Sequence, residues 1–144
     1  MGAAISAHVE ISIGGQWHYY GQLDLLRDQA VFDHLRGREV TDDLTEEDLE
    51  ALHEVMPRGF DLPTDTTAVT RLFYEARPDD THDPCWLDAA KLQALVRYAY
   101  HHSGETKLAL QDFFSVSWLE WAETSDGVPD AIEDVRLICW FDSV

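Results

Sequence analysis

Basic residues are scarce in this chain. Ten Lys and Arg stand against 28 Asp and Glu, a formal charge of −18 over 144 residues. The scarcity argues against direct binding of nucleic acid or an anionic membrane, since both are met with a positive face. Cysteine is nearly absent as well. Cys85 and Cys139 are too few for a disulfide scaffold and form no Cys-x-x-Cys,. With no secretory signal in view, they read as reduced thiols of a cytoplasmic protein. No run approaches the roughly 20 apolar residues that a membrane-spanning helix needs. Phosphate-binding loops, dinucleotide fingerprints and the nucleophile elbow are also missing, which leaves no named enzyme motif and no assigned catalytic residue.

Aromatic and aliphatic side chains are plentiful. Apolar residues make up 45% of the chain, with five Trp, five Tyr and six Phe. A disordered acidic tail has few aromatics, so the composition predicts a packed core, and the length suits one domain over 1–144.

The acid is gathered into runs. Glu39, Asp42, Asp43, Glu46, Glu47, Asp48, Glu50 and Glu54 follow one another with no base between them. Glu120, Glu123, Asp126, Asp130, Glu133 and Asp134 form a second run, and Asp79, Asp80, Asp83 and Asp88 a third group. Charge runs commonly do no more than solvate a surface. The alternative is a docking face for a basic partner, such as a protein built to meet phosphate charge.

Periodicity predicts an α+β fold, a small antiparallel-containing sheet packed by three to four helices. Ile5, Ala7, Val9, Ile11 and Ile13 alternate with Ser6, His8, Glu10 and Ser12, as in a strand with one apolar face. Gly14-Gly15 signals a hairpin and Gln16–Tyr20 the returning strand. Helices are expected over Leu25–Leu35, over Thr45–Val55 capped by Thr45, over Asp65–Ala76 with Val69, Leu72, Phe73 and Ala76 inward, and over Ala89–His102 capped by Asp88. Pro78–Pro84 reads as loop, Lys107–Trp121 fits helix or strand, and Pro129–Asp134 reads as a helical turn. Val135–Phe141 is a near-continuous apolar run, the mark of a buried strand that plausibly pairs with the first.

Three segments resemble a family of small bacteriophage and prophage proteins. The first runs from Met1 to Glu10 and on to Gly15-Gln16-Trp17, where family members open Met-Gly-Ala-Asp-Ile-Ser-x-His-x-Glu and place a Trp in the next strand. The second joins Pro57-Arg58-Gly59 to Asp80-Thr81-His82-Asp83-Pro84-Cys85-Trp86-Leu87. The third, Asp134-Val135-Arg136 to Trp140-Phe141-Asp142, is similar to the family's closing Asp-Val-Arg, apolar, Trp-Phe-Asp. The resemblance implies a phage origin and an accessory role, without implying a reaction.

His8, Glu10 and His82, with Asp80 or Asp83, are the best candidate metal ligands, because residues two apart in a strand point the same way and His with carboxylate suits a divalent ion. Ala4 and Pro84 stand where the family pattern places an Asp and a second His, so two potential ligands are missing. The competing reading is a hydrogen-bonded polar cluster tying the Asp80–Leu87 loop to the first strand. His101-His102 suits a helix C-terminus. A Cys85–His82 nucleophile has only suggestive spacing behind it. The expectation is a non-enzymatic accessory protein without a cofactor that binds a basic host protein or complex, with Glu39, Asp42, Asp43, Glu46, Glu47, Glu50 and Glu54 as docking face. The rivals are a metal-dependent hydrolase at His8, Glu10 and His82, and a minor virion or assembly factor.

Overall fold

The computed structural model describes residues 3–23, 31, 34–35, 44–55, 57–76, 81–102 and 134–143. Two strands, β1 (Ala3–Ile13) and β2 (Gln16–Leu23), form the expected hairpin. Its turn needs positive φ at both central residues, and Gly14 and Gly15 supply it at 62° and 77°,. The final strand, β4 (Asp134–Ser143), pairs antiparallel with β1 along its length, from Ala3↔Ser143 to Ser12↔Asp134. A further strand, β3 (Thr81–Leu87), lies against the far side of β4, so the sheet order is β2-β1-β4-β3. The fold is α+β, with a four-stranded antiparallel sheet and, among the described residues, three helices.

Each helix starts where a side chain satisfies its first free N–H groups. Helix α1 (Glu46–His53) is capped by Thr45, whose Oγ1 accepts from Asp48 N at 3.1 Å, and Glu46, Glu47 and Asp48 sit in its first turn, where the helix dipole favours acid,. Helix α2 (Ala68–Glu75) is capped by Thr67. Helix α3 (Ala89–His102) is capped by Asp88, whose Oδ1 accepts from Lys91 N at 3.0 Å.

The sheet is covered on both faces, with different chemistry on each. One face is apolar. Cross-strand rows Leu23–Ala7–Cys139–Cys85 and Val9–Leu137–Leu87 pack against Leu52 and Val55 at α1, Leu92, Leu95 and Val96 of α3, and Val31 and Leu35. The other face holds His8, Glu10, Arg136, Ile138 and Trp140, all buried, under α2 and the segment before it.

Two expectations are corrected. The segment read as loop over Pro78–Pro84 is, from Thr81 onward, strand β3. Its proline is accommodated at a register break between His82 and Cys85, where Asp83 takes a φ of 53°,. Helix α2 begins at Ala68, and its apolar residues are largely outside: Leu72 is 69% exposed, Val69 40% and Ala76 is exposed too, whereas Thr70 is fully buried and Phe73, 46% exposed, keeps its ring against His8. The reason lies beneath it. The sheet face there carries a buried carboxylate, which requires hydrogen-bond donors more than the helix requires burial of its leucine.

The expected helix Leu25–Leu35 lies largely outside the described residues; Val31, His34 and Leu35 within it are helical. Met56, Gly104, the ambiguous 107–121 segment and the turn before Asp134 also lie outside them.

Candidate functional site

Glu10 is the centre of the polar layer. β1 carries it to the face under α2, fully buried. Its Oε1 accepts from Arg136 Nε at 2.8 Å and lies 2.6 Å from Arg136 Nη2. Its Oε2 accepts from Thr67 N at 3.0 Å, Thr67 Oγ1 at 2.6 Å and Thr70 Oγ1 at 2.7 Å. Five donors thus converge on one carboxylate at the N-terminus of a helix, where an anion is favoured. Arg136 Nη1 also reaches Asp65 Oδ1 at 2.7 Å, and Nη2 donates to Asp65 O at 3.1 Å. The guanidinium lies 3.9 Å from the Trp17 ring centroid. Among the described residues no buried side-chain nitrogen or oxygen lacks a partner.

His8, one row along the same face, stacks on Trp140 at 4.6 Å between centroids and packs on Phe73 at 4.8 Å. Its Nδ1 is 2.9 Å from the Tyr19 hydroxyl. Burial, with the nearby Glu10 charge second, pushes the Tyr19 phenol above its ordinary range. Tyr74 meets Trp140 edge-on, closing this aromatic layer,.

Above Arg136 opens a cleft of about 350 Å³. Trp17 from β2 and Trp86 from β3 are two of its walls, and Asp65, Asp88 and Asp134 line it with Arg136. Trp86 is held from behind by the chain at Pro57-Arg58-Gly59. Arg58 N donates to Trp86 O at 2.8 Å and Trp86 N to Gly59 O at 3.2 Å. A Cβ at Gly59 would stand 2.9 Å from Trp86 Nε1, so only glycine lets the indole lie this close. Arg58 also pairs with Asp88 through its Nε. Hydrogen bonding to Arg136, with weaker help from the Trp17 indole, holds the Asp65 carboxyl below its ordinary range.

His8 and Glu10 therefore share a face, as the alternation of the first strand predicts. His82 does not share their rows: its backbone pairs with Phe141, three residues along β4 from Ile138, the partner of His8, about 10 Å of strand. All protein-facing acceptor positions of Glu10 are occupied by the five donors above, leaving the carboxylate no free lone pair for an ion. Among the described residues no group of three or more His, Cys, Asp or Glu could hold a metal ion. The polar cluster exists, but it ties β1 to β4 and to the start of α2. Of the Asp80–Leu87 segment, Thr81–Leu87 is joined to the sheet by strand pairing instead, and Asp80 lies outside the described residues.

Of the acidic docking residues, Glu46, Glu47, Glu50 and Glu54 lie exposed along α1 and its C-cap. Glu39, Asp42 and Asp43 lie outside the described residues. Because α1 packs on the apolar face of the sheet, this acid and the Trp17–Trp86 cleft are on opposite sides of it.

Sequence reasoning missed Arg136, Thr67, Thr70 and Asp65. A signal was present: a lone arginine inside the Val135–Phe141 apolar run requires a buried anion, and Glu10 is the one acid in the facing strand.

No family model, curated protein or solved structure matches this chain.

Proposed function

We propose that this chain is a non-enzymatic accessory protein of a phage or prophage that acts by binding a basic host protein, with the acidic surface around α1 as its docking face. The observation that supports the reading is the helix itself: Glu46, Glu47, Glu50 and Glu54 are exposed while Leu52 of the same helix is buried, so the acid forms one outward stripe. A stripe of one sign raises the encounter rate with a basic surface and fixes its orientation more than it adds raw affinity. The same stripe repels nucleic acid. The saturated Glu10 gives the hydrolase alternative no support.

The test is quantitative affinity capture from host cells with the wild-type chain and a Glu46→Lys, Glu47→Lys, Glu50→Lys, Glu54→Lys variant, at low and high salt. Captured proteins should be basic, released by salt and lost from the variant. Identical capture by both forms would overturn the reading. No described helix is long and apolar enough to cross a membrane.

A further inference from the structure

We propose that the cleft between Trp17 and Trp86 is a binding site for an organic cation, an ammonium or guanidinium head group on an alkyl stem. It lies across the sheet from α1 and does not depend on that helix being a docking face.

The first argument is shape. A concavity of about 350 Å³ is at the lower end of small-ligand sites and fits one head group with a few methylenes. The second is the chemistry of the walls. Indole faces attract cations more strongly than any other side-chain ring, and Trp17 already does so for Arg136, whose guanidinium carbon is 3.9 Å from its centroid.

The third argument is charge. Asp65, Asp88 and Asp134 line the cleft and Glu10 lies beneath it, four carboxylates against the three guanidinium groups of Arg136, Arg58 and Arg71, the last donating to the Pro63 and Thr64 carbonyls of the cleft wall. Arg136 is unsuited to holding an anion. Its Nε, Nη1 and Nη2 all donate within the protein, to Glu10 and Asp65. An entering anion would find most of those N–H groups engaged and three carboxylates around it. An entering cation would find the Trp86 indole, with the Trp17 ring already shared with Arg136, and the Asp134 carboxylate, which no base among the described residues pairs. Asp134 contributes most directly: its Oδ1 accepts from Val135 N, a bond that leaves its charge uncancelled.

The fourth argument is preorganisation. Trp86 is fixed by its backbone pairing with Gly59 and by the close approach of its indole to that glycine. Asp88 is fixed as the cap of α3, and Asp65 by Arg136. Little ordering remains to be done when a ligand enters, which favours affinity. The head group can arrive on a free polyamine or on a Lys or Arg side chain of a basic peptide, and the two sources are separable.

The experiment titrates the full chain with spermidine, with a short arginine-containing peptide and with inorganic phosphate, at about 0.15 M salt where exposed charges are screened beyond about 8 Å. Tryptophan fluorescence and calorimetry are the readouts. Spermidine, the peptide or both should bind and perturb the emission, and phosphate should not. Binding of the peptide alone assigns the site to a protein side chain, and binding of spermidine alone to a polyamine. Trp86→Leu should weaken binding about tenfold and Trp86→Phe should recover most of it, as expected for a cation on an aromatic face. Asp134→Asn should weaken it several-fold, whereas Glu75→Gln, which removes one exposed charge away from the cleft, should not. Circular dichroism checks that each variant folds. Equal weakening by Asp134→Asn and Glu75→Gln, preference for phosphate, or no response to either cation overturns the proposal.

Discussion

Glu10 and Arg136, 126 positions apart in the chain, face each other across β1 and β4 and form an ion pair at 2.6 Å with almost no solvent exposure. Two buried charges at that distance depend on each other. Removing either leaves the other desolvated and unpaired, which typically costs about 3–5 kcal/mol. Glu10→Gln and Arg136→Met should each lower unfolding free energy by about that amount in urea titrations. The double variant should lose clearly less than the two together. Simple additivity would show that the pair is not coupled.

Gly59→Ala should lower stability by about 1–3 kcal/mol, as over-packing commonly does, because the new methyl meets the Trp86 indole at 2.9 Å. The indole must move, so tryptophan emission should shift in the folded variant. An unchanged spectrum and midpoint would mean that the chain at Pro57-Arg58-Gly59 yields without disturbing the cleft wall.

Acid should weaken the fold in a way traceable to His34. Burial lowers its pKa below the ordinary 6.5; a hydrogen bond to the Val55 carbonyl opposes this, and the neighbouring His53 adds to the lowering. A depressed folded-state value means the unfolded chain takes up the proton first. The contribution of His34 is therefore complete above pH 6.5 and is lost as pH falls through the lower folded value,. Thermal midpoints between pH 7.5 and 5 should fall less steeply in His34→Gln. Identical slopes would remove His34 as the cause.

Cys85 and Cys139 are cross-strand partners, both free and fully buried. A thiol hydrogen bond between them, with burial second, raises the Cys139 pKa well above its ordinary value. Thiolates are the reactive form. A chromogenic disulfide reagent should therefore find no reactive thiol in the native chain at neutral pH and two in denaturant. Rapid native labelling of either would contradict the burial.

Much of this sheet is legible in the sequence because its signals are local. Alternation from Ile5 to Ile13, the Gly14-Gly15 turn and the apolar run Val135–Phe141 each depend on neighbours in the chain, and the caps Thr45 and Asp88 need only the residues that follow. β3 was not legible, since Pro84 and Asp83 break its pattern and its pairing comes from β4, whose partner residues lie 50 to 61 positions later. The direction of α2 was not legible either. Val69, Leu72 and Phe73 form a proper helical stripe, and the buried carboxylate on a distant strand turns Val69 and Leu72 outward while Phe73 keeps its ring on His8. The candidate site shows the same split. His8 and Glu10 were visible as a pair, but their partners come from α2 and β4. The cleft combines four separated segments, and no local spacing announces it.

The opposite chemistry of the two sheet faces has a consequence for how the central strands find each other. Strand pairing by itself tolerates a slip of one residue, since the backbone pattern repeats. Here such a slip between β1 and β4 would exchange every inward and outward side chain. Glu10 would then be carried into the layer of Val9, Leu137 and Cys139, far from the threonines and the arginine that neutralise it. The ion pair thus acts as an alignment key: it distinguishes the one pairing that places charge on charge from its near neighbours, and it does so for the two strands at the opposite ends of the described chain.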